Sequence, residues 1–143
     1  MKRALPRVLL FLATPWVFLA GCGGSGGSFK YVPVTGKVTY EDGTLIPVSG
    51  MRIYFHSLEP AMDGMHVRPG IGGIGSDGTF KDITTYKYAD GLVLGKYKVS
   101  LVIQEAGGST PKIPKEYALP EKTPLRVEVT KSGQSLEIKV PKP

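Results

Sequence analysis

Two histidines and two methionines that could ligate a metal lie close together in the sequence: His56, Met62, Met65 and His66. Imidazole and thioether groups suit copper. Their spacing is irregular, however, and matches no metal-binding motif. The sequence leaves two alternatives open here. The four residues form a copper site, or they belong to a long loop that packs its methionines against a sheet edge and leaves its histidines exposed.

A second candidate is a pair of tyrosines, Tyr86 and Tyr88, just before the Asp90-Gly91 pair. Their alternation predicts that both rings share one face of an extended segment. Exposed tyrosine rings can stack on sugars, which indicates a carbohydrate or other ligand. Packing at a strand edge is the alternative.

Four aspartates each precede a glycine: Asp42, Asp63, Asp77 and Asp90. Such carboxylates could bind calcium, but the D-x-D-x-D-G spacing of calcium loops is absent. We interpret the pairs as turns, since aspartate accepts local N–H bonds and glycine adopts a positive φ. The sequence also has no nucleophile elbow, phosphate-binding loop or paired-carboxylate motif, so we expect no enzyme activity and no cofactor.

The only cysteine, Cys22, follows an export-type segment. Residues 1–7 carry three basic residues and no acid, and residues 8–20 are almost wholly apolar. This apolar run is too short for a membrane-spanning helix, which needs about 20 residues, but it suits a signal peptide. Leu19-Ala20-Gly21-Cys22 then resembles the bacterial lipobox. The resemblance implies cleavage between Gly21 and Cys22 and a diacylglycerol on the Cys22 sulfur.

Cleavage would change the charge of the mature chain. The formal net charge of +6 falls to +3, because the signal contains three basic residues and no acid. No long basic run remains, so we expect no nucleic-acid partner. With its single cysteine lipidated, the chain cannot form an intramolecular disulfide.

Residues 22–31 are predicted to be the acylated cysteine and a Gly/Ser tether. Residues 23–28 have no side chains to bury and much entropy to lose, so we expect them to hold the domain off the lipid surface. Gly23, rather than aspartate, follows the cysteine. By resemblance to the sorting rule of double-membrane bacteria, this favours the outer membrane, facing the periplasm or the cell surface.

From residue 32 onward, apolar and polar residues alternate with the period of β-strands. The strand segments are predicted at residues 34–40, 51–56, 71–76, 80–85, 95–103, 125–130 and 136–140. The last two are predicted to form a hairpin with its turn at 131–134. Loops rich in proline and glycine are predicted at residues 58–70 and 105–122. The alternation directs Tyr97, Val99 and Leu101 inward, and Lys98 and Ser100 toward solvent.

These strands predict an all-β fold, an antiparallel β-sandwich of about seven strands with an immunoglobulin-like architecture. The 143 residues allow one domain. We place it at residues 32–141, after a signal peptide at 1–21 and the tether at 22–31. No segment has a helical apolar face long enough to predict a helix.

Several motifs resemble carboxypeptidase-regulatory-like, or transthyretin-like, domains. Residues 32–38 (VPVTGKV), with Asp42-Gly43, are similar to the opening of those domains, and residues 75–80 (GSDGTF) resemble their D-x-x-G-x-F hairpin, one residue shorter. Residues 90–99 are similar to their D-G-x-x-x-G-x-Y-x-V turn and strand. Residues 113–117 and 125–129 resemble a bacterial lipoprotein branch. The resemblance covers about residues 32–140 and implies a sandwich fold with a non-catalytic accessory role.

One transthyretin-like branch hydrolyses 5-hydroxyisourate with histidine and arginine residues and a Tyr-Arg-Gly-Ser motif, which residues 139–143 lack. We therefore expect a lipid-anchored, non-catalytic module of the bacterial cell envelope with a structural or protein-interaction role. Its expected partners are the membrane, through the N-terminal lipid, and an unknown envelope protein or polysaccharide. The alternatives are a carbohydrate- or ligand-binding module and an envelope copper-handling protein.

Overall fold

The computed structural model of this chain describes residues 29–62, 64–104 and 112–143, which form nine β-strands and one short 3₁₀ turn. The strands are β1 (Tyr31–Val32), β2 (Val34–Tyr40), β3 (Met51–Ser57), β4 (Gly70–Gly73), β5 (Thr79–Phe80), β6 (Leu92–Val93), β7 (Gly95–Ile103), β8 (Arg126–Val129) and β9 (Gln134–Val140). The 3₁₀ turn is Lys115–Ala118.

The strands form two main sheets and one short ladder. The three-stranded sheet has the order β5-β2-β9 and the four-stranded sheet has the order β4-β3-β7-β8, while β1 pairs with β6. Phe55 of β3 and Phe80 of β5 bring the two sheets together, with their ring centroids 5.8 Å apart. The predicted all-β sandwich is therefore confirmed.

Alternation of buried and exposed residues fixes the inner face of each long strand. Val38 of β2, Phe55 of β3 and Leu101 of β7 are completely buried, as their phase predicts. Lys98 lies on the opposite face of β7, opposite His56 of β3. Ser100 corrects the prediction, because it is buried rather than solvated. Its hydroxyl oxygen lies 3.0 Å from Nε2 of His56, so a neighbouring side chain satisfies it.

The predicted C-terminal hairpin is wrong. β8 pairs with β7 in the four-stranded sheet, whereas β9 pairs with β2 in the three-stranded sheet, and that pairing is parallel. The link between them crosses from one sheet to the other, aided by Gly133 with φ of 71°. Alternation identifies the buried face of a strand but does not identify its partner, so the two strands could not be assigned to different sheets from their patterns.

Two further segments differ from the prediction. The strand predicted at residues 80–85 ends at Phe80, because Asp82 adopts a left-handed φ of 53° and turns the chain. Ile83 then enters the core. The long loop predicted at residues 105–122 contains the 3₁₀ turn, in which Tyr117 is buried. Residues 105–111 lie outside the described part of the chain.

Candidate functional site

The loop that carries Tyr86 and Tyr88 is held in place by one carboxylate. Asp90 accepts backbone N–H bonds from Thr85 at 2.8 Å, from Tyr86 at 3.0 Å and from Lys87 at 2.8 Å. Burial of Asp90 raises its pKa, but the bonds from Lys87, Thr85 and Tyr86 outweigh burial and leave the pKa below its ordinary value. The carboxylate therefore stays charged at neutral pH and fixes the loop conformation.

Both predicted tyrosines are exposed, in this loop rather than on a strand. Tyr86 is 51% exposed and Tyr88 is 84% exposed. The guanidinium carbon of Arg68 lies 5.5 Å from the centroid of the Tyr86 ring, a cation–π contact. No sequence pattern indicated Arg68, because it comes 18 positions before Tyr86 and meets it only through the fold.

Tyr31 of β1 belongs to the same region. Burial raises the pKa of Tyr31, the negative charge of Asp90 raises it further, and the positive charge of Arg68 opposes them. These charges act on Tyr31 because the loop folds against β1. We call the group Tyr31, Arg68, Tyr86, Lys87 and Tyr88 the tyrosine surface.

Backbone contacts position the tyrosine surface on the sandwich. Ile71 of β4 and Thr84 exchange two N–H···O bonds of 2.8 and 2.9 Å, which joins the loop to the four-stranded sheet. Gly91 lies directly against the carbonyl group of Val32, where a β-carbon would have no room. Its N–H donates to the Ile83 carbonyl at 2.8 Å. The loop is thus attached to β4 on one side and to β1 on the other.

The histidines and methionines predicted as copper ligands have different environments. Met62 and Met65 pair through two backbone bonds of 2.9 Å, and both side chains are about half exposed. His66 follows them and is exposed. His56 is instead half-buried on β3, where it hydrogen-bonds with Ser100. Its ring stacks on that of Tyr54, with the two ring centroids 6.4 Å apart. Burial lowers the pKa of His56; the charge of Glu121 opposes this and that of Lys98 adds to it.

The aspartates that precede glycine make the local bonds expected of turns. Asp42 accepts bonds from the N–H and hydroxyl of Thr44, and Asp77 accepts the same two bonds from Thr79. Asp90 fixes the tyrosine loop, as described above. Asp63 lies outside the described residues, as do Gly21 and Cys22.

Neither a cluster of metal ligands nor a membrane-spanning helix occurs among the described residues. Within residues 29–62, 64–104 and 112–143, no three His, Cys, Asp or Glu side chains are grouped as metal ligands would be. That same part of the chain contains no helix with the length and apolarity needed to span a bilayer.

Comparison with known proteins yields one structural likeness. No family model and no curated protein matches this chain. A solved structure of a DUF3823 family protein from Parabacteroides merdae is similar to it, with 16% sequence identity and a TM-score of 0.46. The likeness covers 80% of this chain and 47% of that one, so this chain spans about half the length of the solved protein.

Proposed function

We propose that this chain is a lipid-anchored, non-catalytic β-sandwich module of the bacterial cell envelope with a structural or interaction role. The observation that carries the proposal is the position of Cys22. It follows a basic and apolar export-type segment, completes a lipobox-like tetrapeptide, and precedes the first strand at Tyr31 by nine positions. Lipid on Cys22 would hold the sandwich at a membrane, and Gly23 favours the outer membrane.

The non-catalytic part of the proposal is supported by the uses of the polar side chains. Asp42, Asp77 and Asp90 stabilise turns, and His56 satisfies the buried Ser100. All three aspartates lie in segments that resemble carboxypeptidase-regulatory-like turns, with Gly43, Gly78 and Gly91 at positive φ beside them. We infer that the chain is a divergent domain of that type, in which these residues serve the fold.

The interaction role is supported by the tyrosine surface. Tyrosines provide large amphipathic contact area with only two rotatable side-chain bonds, which makes them effective in recognition. Tyr86 and Tyr88 expose about half or more of their area although the loop backbone is fixed by Asp90. We therefore infer that the tyrosine surface is the interaction site of the module.

Replacement of the anchoring cysteine tests the lipid anchor. We expect the first peptide of the wild-type protein to begin at Cys22 and to carry acyl mass. The Cys22→Ala chain should carry none and should move from washed membranes to the soluble fraction. The matched control Ser25→Ala keeps the cysteine and should remain in the membrane. The proposal would be refuted if Cys22→Ala stayed in the membrane fraction like the wild type and the wild-type peptide carried no acyl mass.

A further inference from the structure

The tyrosine surface includes Tyr31, where the chain that follows the predicted anchor enters the sandwich, and this points to a partner. We propose that the tyrosine surface rests on the anionic phospholipid surface into which the Cys22 lipid inserts. The inference rests on the proposed lipid anchor and adds a second, non-covalent membrane contact. It replaces the expectation that the tether holds the domain off the lipid surface. The anchor would keep the lipid surface close to the exposed tyrosines, so this partner is within their reach.

Chain length limits how far this surface can lie from the membrane. Nine peptide units separate Cys22 from Tyr31, and at full extension they span at most about 30 Å. Tyr31 is itself part of the tyrosine surface and pairs with Val93 in the β1–β6 ladder. Gly91, at the end of the loop that carries Tyr86, lies against the carbonyl group of Val32. The chain therefore enters the sandwich beside that loop, and this end of the domain is the one held close to the bilayer.

The side chains of this surface match a lipid headgroup region. Tyrosine rings prefer the membrane–water interface, because the ring enters the apolar boundary while the hydroxyl stays hydrated. Tyr88 is the most exposed large hydrophobic residue among those described, and Tyr86 lies in the same loop. The loop holds both rings outward without the sandwich covering them.

The charge of the surface is also complementary to anionic lipid. Arg68 lies over the Tyr86 ring, Lys87 lies between the two tyrosines, and Lys30 is exposed immediately before β1. Asp90, an acid beside this surface, directs its carboxylate at three backbone N–H groups of the loop. Basic residues beside aromatic rings are the composition of interfacial membrane contacts. A polysaccharide could stack on the two tyrosine rings, but its binding would not depend on the position of the lipid anchor.

A single tryptophan reports on the contact. The one tryptophan of the chain, Trp16, lies in the predicted signal, so a new indole would be unique in the lipidated protein. Tyr88→Trp places an indole on the tyrosine surface at a position that is 84% exposed, where folding is not at risk. Leu45→Trp is the matched control. Leu45 is exposed and follows the Tyr40 end of β2, whereas β1 adjoins the Val34 end.

The lipidated variants would be purified from membranes and reconstituted into phosphatidylglycerol–phosphatidylcholine vesicles with brominated acyl chains. Bromine quenches an indole that reaches the acyl boundary. We expect emission from Tyr88→Trp to fall roughly twofold and emission from Leu45→Trp to stay nearly constant. In the Tyr88→Trp background, replacing Arg68 and Lys87 by glutamine should weaken quenching. The matched change Lys139→Gln, near the distal end of β9, should not.

The outcomes separate the two proposals. If the chain is acylated and floats with the vesicles but both indoles remain equally unquenched, the lipid anchor stands and the membrane contact is refuted. If the Tyr88→Trp emission responds to soluble glycan fragments of the envelope and not to vesicles, the surface binds polysaccharide and the inference is wrong. If no acyl mass is found, both proposals fail together.

Discussion

Two neighbouring strands pack closely around one glycine of β2, and substituting that glycine gives a sharp prediction. Gly36 lies in the middle of β2, beside Leu136 of β9 and under the ring of Phe80 of β5. A β-carbon built on Gly36 would overlap the Leu136 carbonyl oxygen and the end of the Phe80 ring, whose Cε1 atom lies at 2.8 Å. Because Phe80 is only 2% exposed and packs on Phe55, the ring has little room to move.

Gly36→Ala should therefore be destabilising. Overpacking a close-packed core costs about 1–3 kcal/mol, which is a large part of the roughly 5–15 kcal/mol that stabilises a domain. For a domain of this size the midpoint of thermal unfolding should fall by roughly 4 °C or more. The matched control is Gly73→Ala on β4, where an added β-carbon has no neighbour within 4 Å. Since Gly73 is not at positive φ, alanine should be neutral or stabilise by up to about 1 kcal/mol.

Thermal and urea unfolding followed by circular dichroism would measure both variants. Equal midpoints for Gly36→Ala and the wild type would refute the close approach of β2, β5 and β9. A more damaging Gly73→Ala would mean that β4 does not lie at an open edge. The test bears on the family resemblance too, because Gly36 is the glycine of the VPVTGKV segment and the fold supplies a steric reason for it.

Two further predictions concern β7 and the histidine beside it. Leu101 is completely buried, so Leu101→Ala should cost about 2–5 kcal/mol, while Lys98→Ala on the opposite face should change stability by roughly 0.5 kcal/mol or less; chemical unfolding would contradict the strand's phase if Lys98→Ala were the worse. The folded-state pKa of His56 lies below its ordinary value of 6.5, chiefly because of burial. The unfolded chain therefore binds a proton more readily, and the stability contributed by neutral His56 is present above pH 6.5 and lost as the pH falls toward the folded-state pKa. Unfolding curves between pH 7 and 5 should be less pH-dependent in His56→Gln than in wild type; equal pH dependence in the two would refute the burial argument.

The long strands could be predicted because their residues report locally on burial. In β2, β3 and β7 one face is covered by the opposite sheet and the other is open over most of its length, so apolar and polar residues must alternate. Val38, Phe55 and Leu101 followed this rule. Ser100 did not, because its partner His56 comes from a strand 44 residues away and satisfies the buried hydroxyl. A hydroxyl in an alternating strand gives no signal of such a partner.

Partner choice was the main feature that the sequence did not reveal. β8 and β9 have clear alternation and a short link with a glycine, which is also the pattern of a hairpin. They separate into two sheets because β8 pairs with β7 of the four-stranded sheet, whereas β9 pairs with β2 of the three-stranded sheet. The ladder of β1 and β6 is two residues long and leaves no periodic signal. Arg68 likewise meets Tyr86 through long-range pairing at Ile71 and Thr84.

The strand predicted at residues 80–85 is wrong, and the loop found there presents the tyrosine surface. One feature of the backbone explains both the wrong prediction and the loop. Asp82 and Ala89 adopt left-handed φ values of 53° and 55°. The β5 ladder therefore ends before Asp82, and Thr84 makes only an isolated bridge to Ile71. Packing against β4 supports this irregular segment. Ile83 is 1% exposed and fills the space left by Gly70 and Gly72. Positions that depart from regular secondary structure need such support from the rest of the fold.

That support bears on how the loop would bind. The bonds accepted by Asp90 and the 2.6 Å bond from the Thr85 hydroxyl to the Gly91 carbonyl fix the backbone before any partner arrives. A contact made by an already ordered loop avoids the entropy cost of ordering it. In the proposed membrane contact, two exposed tyrosines on a fixed backbone would add their burial at the interface to the attachment that the diacylglycerol on Cys22 supplies.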